Sequence, residues 1–192
     1  MQSPKILMLG AKKQVGKDTF CQLLKELKPS IERVAFADQL REYVYPITRQ
    51  FFGKHPNDLT LSEKELARPI MIEVGRLART LNIDYWVKIV ADQIKYEWAI
   101  QEKNGLDKTI FVCCDCRYLN EYQYFKREFG DEVMLVNIER IGAPEPTDEE
   151  KIHAPELKKL ADVNFTWSTD ESFVTLRPQI SYFYSKYFLG HE

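Results

Sequence analysis

Residues 10–20 read GAKKQVGKDTF, with Gly10 and Gly16 at the two ends of a loop and Lys17 directly after it. These residues are equipped to hold phosphate. Main-chain N–H groups of a wrapped loop converge on an anion, and the start of the following helix adds roughly half a positive charge. Glycine lets the backbone close on the ligand, and Lys17 adds a full charge near a transferred phosphate. Asp115 follows the apolar run TIFVCC, and Arg117 lies two residues on. An acid at the end of a buried strand, opposite such a loop, is placed to hold Mg²⁺ or its water; a turn cap is the plainer alternative. Asp38 stands after a second apolar run, where it can cap a helix or face a ligand beyond the strand's carboxyl end. Arg76 and Arg79 share one helix face, with Gly75 beside them and Arg68 at the preceding junction. Arginines gathered this way serve to bring polyanions together; on an ordinary helix they form a solvated face.

The elements that must position these residues can be read around them. Lys5–Leu9 is a short apolar run that predicts a buried parallel strand, and Asp18–Leu24 opens an amphipathic helix. Strand, glycine-bounded loop, lysine and helix follow the order of a P-loop. The pattern is imperfect: Ala11 stands where its first glycine is usual, and Asp18 where Ser or Thr normally meets the metal, with Thr19 one later. The candidate triphosphate grip is therefore Ala11, Lys12, Lys13, Gln14, Val15, Gly16, Lys17, Asp18 and Thr19. Ile31–Ala37 predicts a second strand, followed from Asp38 by a helical stretch interrupted near Pro46. Ser62 with Glu65 gives a capping-box signature, and Pro69 suits the first turn of another helix. Gly75 inside that helix fits close approach by a flat ligand or a tight helix crossing. Asp84 precedes a helix whose apolar residues 86, 87, 90, 94 and 98 share a face, so Trp86 fits the core, with ligand stacking as the alternative. Thr109–Cys114 predicts a central strand, Asn120–Phe129 a helix ended by Gly130, and Val133–Glu139 a fourth strand. Arg140–Ala154 changes composition to prolines and acids and reads as an exposed flap or a solvated connection. Asp162–Trp167 predicts a fifth strand, and residues 168–171 start a C-terminal helix with a Tyr/Phe-rich face.

The totals narrow the function classes. The chain has 192 residues, 44% of them hydrophobic, enough for one sizeable core or one domain with an inserted lid. A formal net charge of −2 argues against a nucleic-acid platform or a polybasic membrane binder. No apolar run approaches the ~20 residues of a membrane span, and no signal-peptide core is seen, so a cytoplasmic protein is expected, in the host cytoplasm if the source is viral. Cys113, Cys114 and Cys116 crowd into one run and Cys21 stands apart. They fit neither a disulfide framework nor zinc spacing, and read as small apolar fillers of the core.

Five stretches in order resemble one family. GAKKQVGKDTF is similar to the GKDT-type P-loop of the phage deoxynucleoside monophosphate kinases. AFADQLRE resembles their FADPLKE-like segment, VGRLARTLNIDYWV their Gly…Arg…Asp-x-Trp-Val helix pair, and CCDCRYLNE their SDVRFPNE-like strand end. The tail from Ile138 through His153 and Glu156 to Asp162 resembles their lid and acidic strand. The resemblance implies a three-layer α/β P-loop NTPase fold of the nucleoside monophosphate kinase kind, with about five mainly parallel strands, helices on both faces and a lid. It implies a single domain over 1–192, with an acceptor-binding helical region near 38–100 and a lid near 140–157. It implies phosphoryl transfer from Mg·ATP to a deoxynucleoside monophosphate. Residues 11–19 would hold the donor, Asp18, Thr19 and Asp115 would face Mg²⁺, and Asp38, Arg68, Gly75, Arg76, Arg79, Trp86 and Arg117 would line the acceptor site. Lys17, Asp115, Arg117 and Arg140 would act on the transferred phosphoryl group. Small-molecule partners are expected, with no nucleic acid and no membrane; monomer and homodimer both remain open. Gln39 replaces the family's proline, and Cys116-Arg117-Tyr118-Leu119 replaces Val-Arg-Phe-Pro, which bears on base specificity more than on the reaction. A phosphomevalonate kinase-like enzyme and a non-catalytic P-loop protein are the alternatives.

Overall fold

The computed structural model describes residues 3–12, 14–168 and 173–190. Five strands form one all-parallel sheet: β1 (Ile6–Ala11), β2 (Ile31–Val34), β3 (Ile110–Cys116), β4 (Val133–Ile141) and β5 (Val163–Ser168), in the spatial order β2-β3-β1-β4-β5. Parallel neighbours need crossover connections, so helices cover both faces. One face carries α1 (Lys17–Leu27) and α7 (Phe173–Tyr184). They enclose a core of Leu7, Leu9, Phe20, Leu24, Val136 and Ile180. The other face carries α2 (Phe36–Phe52), α3 (Leu61–Leu81), α4 (Tyr85–Lys103), α5 (Leu119–Phe129) and α6 (Asp148–Leu160). Its core holds Ile6, Met8, Phe36, Trp86, Ile94, Phe125 and Leu157. Alternate residues of β1 thus enter opposite cores, as period-two side chains must. The expected three-layer α/β class, with five parallel strands, is what the chain forms.

Several expected boundaries move. Helix α2 begins at Phe36 rather than after Ala37, and runs unbroken through Pro46. The proline removes one N–H, yet Val44 and Thr48 on either side are buried, so packing carries the helix across it. Pro69 likewise lies inside α3 and opens no new helix. The capping box at its start is Thr60 with Glu63, not Ser62 with Glu65. Both pairs match the pattern, but only Thr60 keeps the extended backbone an N-cap needs. Strand β3 continues to Cys116, so Asp115 lies within it. Strand β4 continues to Ile141 and takes in Arg140. The expected flap gives way to α6, which starts within it, is capped by Thr147 and Glu150, and runs through Pro155 to Leu160. Residues 169–171 of the expected C-terminal helix start lie outside the described residues. The four cysteines are free and buried, as core fillers should be.

The pairing of β1 with β3 is irregular at one point. Met8 pairs with Cys113, but Gly10 pairs with Cys116, so β3 carries one extra residue there. A bulge of this kind re-aims a side chain. Cys113 and Cys116 consequently enter the same core, although strict alternation would oppose them. Asp115 sits in the bulge.

Phe125 is fully buried and packs its ring against Phe36 and Phe129. Phe125→Ala is expected to lower the unfolding free energy by roughly 3–5 kcal/mol in urea titrations. A loss below about 1 kcal/mol would show that this face of the sheet is not the stabilising core.

Candidate active site

The phosphate-loop candidate leaves the carboxyl end of β1, the central strand, and enters α1. Gln14 and Gly16 take positive φ values of 58° and 89°. Gly16 is needed twice over. Its φ favours glycine, and a Cβ there would lie 2.2 Å from Cζ2 of Trp167. Lys17 is the first residue of α1, is buried, and donates from Nζ to the Lys12 carbonyl at 2.7 Å. Its side chain therefore folds back over the loop. Burial pushes the Lys17 pKa down, and neighbouring Arg117 adds to this, while Glu150, Asp115 and Asp18 oppose it. Residues from α1, β3, the β3–α5 turn and α6 thus share one electrostatic neighbourhood. Ala11 pairs through its backbone with Ile138, Val15 is buried, and Thr19 lies half-buried in the first turn of α1. Lys13 lies outside the described residues.

Asp115 has a definite occupation. Its two carboxylate oxygens accept the main-chain N–H groups of Phe36 and Ala37, each at 2.9 Å. A carboxylate from the neighbouring strand thus caps α2 at its positive end. Burial pushes the Asp115 pKa up; the Ala37 and Phe36 hydrogen bonds and Arg117 pull the other way. Glu121, buried in α5, performs the same service one turn away. Its Oε2 accepts the amides of Arg117 at 2.7 Å and Tyr118 at 3.0 Å. These contacts anchor the backbone that carries Arg117.

The acceptor residues divide. Asp38, in the first turn of α2, is held by Arg33 at 2.8 Å and by Arg41. The Arg79 guanidinium lies 4.3 Å from the Tyr118 ring centroid, and its charge reaches Glu121. Arg79 therefore faces the Arg117 turn. Arg68 and Arg76 do not: each pairs with an acid one turn back, Glu65 and Glu73, on the exposed side of α3. Trp86 is buried and donates its indole N–H to the Gly75 carbonyl at 3.2 Å. A Cβ on Gly75 would meet Leu40 at 3.3 Å. Of the two explanations for that glycine, the structure supplies the tight crossing between α2 and α3.

Arg140 pairs in register with Trp167. It lines a cavity of about 500 Å³ together with Lys12, Val15, Glu150 and Lys151. The start of α6 therefore lies across the loop, and His153 brings its ring to 5.2 Å from Tyr118. Sequence reasoning passed over Trp167, Glu121, Glu150 and Tyr118 as site residues. Only Glu150 had a legible signal, the Thr-x-x-Glu of its capping box.

Of the three residues implied for Mg²⁺, two have definite surroundings in the structure. Both Asp115 oxygens are taken by main-chain amides. The Asp18 side chain is 90% exposed and lies 3.9 Å from Arg33. Among the described residues no group of three or more His, Cys, Asp or Glu could hold a metal.

No protein-family model matches the chain, and no curated protein does. Among solved structures it is similar to dephospho-CoA kinase from Campylobacter jejuni at 14% identity, covering 95% of this chain and 97% of that one, with a TM-score of 0.48. TT1252 from Thermus thermophilus is 13% identical over 96% of this chain and 98% of that one, TM-score 0.49. A gluconokinase from Sinorhizobium meliloti 1021 is 10% identical over the full length of both chains, TM-score 0.41. Among the described residues no helix is long and apolar enough to cross a membrane.

Burial is the main cause that pushes the Glu121 carboxyl up to about 8, from an ordinary 4.5. The folded state then binds this proton more tightly than the unfolded chain. The stability it contributes is present below the ordinary value and is lost as pH rises towards the folded one. Glu121→Gln keeps an oxygen to accept both amides and removes the titration. Its unfolding free energy in urea is expected to fall less between about pH 5 and 8 than that of the wild type. Parallel pH profiles would assign the dependence to another group.

Proposed function

We propose that this protein is a kinase that moves the γ-phosphoryl group of Mg·ATP to a deoxynucleoside 5′-monophosphate, producing the diphosphate and ADP. One observation carries the phosphate-binding part of this reading. Lys17 and Arg117 are held close enough to repel, one of them buried, at the carboxyl ends of the central strands beside a loop with two positive-φ residues. An anion bound between the two cations would relieve that repulsion. Open α/β sheets place ligands at these strand ends. The deoxynucleoside monophosphate as acceptor is supported by the ordered resemblance of five stretches, and by Arg79 facing the same turn as Arg117.

In this reading residues 11–19 hold the donor phosphates, the helical region near 38–100 holds the acceptor, and the segment near 140–157 is a lid. An acceptor phosphate oxygen attacks the γ-phosphorus in line while the bond to the ADP oxygen breaks. That oxygen is already ionised at neutral pH, so no strong general base is required. Positioning and charge cancellation are the protein's tasks. Lys17 follows the γ-phosphoryl group, Arg117 bridges donor and acceptor, and Arg79 holds the acceptor phosphate. Arg140, near the end of β4, meets the phosphates from the lid side, where closure of the lid excludes water and suppresses hydrolysis as a competing path. Arg68 and Arg76 would join only by leaving their acidic partners on α3.

Lys17→Ala is expected to reduce turnover at least ~100-fold, the scale of one preorganised charge at the transition state. Coupled ADP-release assays over a panel of deoxynucleoside and nucleoside monophosphates test both this and the acceptor. Wild-type turnover in the variant would remove Lys17 from the chemistry. If no monophosphate accelerates ATP consumption, while mevalonate phosphate does, the acceptor assignment changes class. Arg79→Ala is expected to lower kcat/KM for the monophosphate on the order of 10²-fold while leaving the ATP dissociation constant within about twofold. Equal losses for both substrates would place Arg79 outside the acceptor site.

A further inference from the structure

We propose that Trp167 is a positioning residue for the phosphate loop: by holding the Val15 carbonyl inward, its indole N–H aims the Gly16 amide at bound polyphosphate. The role deepens the kinase reading and rests on it. Trp167 lies in β5, far along the chain from the loop, and is buried. Its Nε1 donates to the Val15 carbonyl at 2.7 Å in a buried hydrogen bond. The ring cannot drift, because Phe20 and Phe165 pack against it at centroid distances of 6.5 and 5.6 Å.

Peptide planarity turns that contact into a directional one. In a trans peptide the carbonyl of one residue and the N–H of the next point in opposite directions. No cis peptide occurs among the described residues. Fixing the Val15 oxygen towards Trp167 therefore turns the Gly16 N–H away from the indole and out of that core. The same indole occupies the space a Gly16 side chain would need. Gly16 is thus selected by a packing partner on β5 as well as by its own φ.

The three tryptophans provide an internal control, since each indole N–H has its own acceptor. Trp86 donates to Gly75, Trp98 to Thr109 and Trp167 to Val15. In ¹H–¹⁵N spectra of the wild-type protein titrated with ADP, with and without Mg²⁺, the Trp167 indole and the Gly16 amide should shift together with one midpoint. The Trp98 indole should stay in place. Trp167→Phe keeps an aromatic ring and removes the donor. It is expected to weaken ADP binding on the order of 10-fold, the scale of one buried hydrogen bond, by isothermal titration. Deoxynucleoside monophosphate affinity should change less than about twofold, since the contact lies on the donor side. ADP binding at wild-type strength in a folded Trp167→Phe protein would overturn the proposal. So would a Trp167 indole that ignores ADP while Gly16 responds; that measurement needs no variant and decides the matter if Trp167→Phe does not fold. Absence of ADP binding by the wild type would instead remove the phosphate-loop reading, and this role with it.

Discussion

Two consecutive amides at the start of α2 end on one carboxylate of a neighbouring strand. That contact, Asp115 with Phe36 and Ala37, ties the sheet to the helix carrying Asp38 and Arg41. The first N–H groups of a helix have no partner within it, and leaving them unpaired against a core is costly. A carboxylate answers two of them at once and also meets the helix dipole. The bulge in β3 aims it there. Because Asp115 follows β3 into the sheet beside β1, the phosphate loop and the α2 segment are referred to one rigid frame.

The same device appears again within a few residues. Glu121 gathers the amides of Arg117 and Tyr118, so the turn between β3 and α5 is held by a buried carboxyl. Thr147 and Glu150 do this for α6. Three acids thus organise three helix starts, and the charges of Asp115 and Glu150 also reach Lys17. The Lys17 ammonium also donates to the Lys12 carbonyl, and the Arg117 amide to Glu121, so main-chain architecture helps to place both cations.

The arginines of α3 show how secondary-structure reasoning reaches a limit. Arg76 and Arg79 share a face by spacing, yet only Arg79 turns towards Tyr118. Arg76 finds Glu73 three residues back, as Arg68 finds Glu65. Exposed pairs of this kind are worth little, so they restrain their arginines weakly. Gly75 likewise gave two readings in sequence, and the distance to Leu40 selects helix crossing. Trp86 fills the core that its spacing with Val87, Val90 and Ile94 describes, and the Gly75 carbonyl takes its indole N–H.

What the linear chain determined was local and periodic. The apolar runs gave all five strands, the spacing of residues 86–98 gave α4, and Gly-Lys after an apolar run gave the loop and the start of α1. These are legible because burial on two faces demands unbroken apolar strands, and a helix demands its own period. What only the tertiary structure decided was set by partners distant in sequence. It decided that Asp115 caps α2, that Gly16 must be small because of Trp167, that Pro46 and Pro69 are carried inside helices, and that Thr60 outcompetes Ser62 as a cap. Each depends on where another element places a hydrogen-bond donor, a ring or a packing surface, and no pattern within a short window encodes that position.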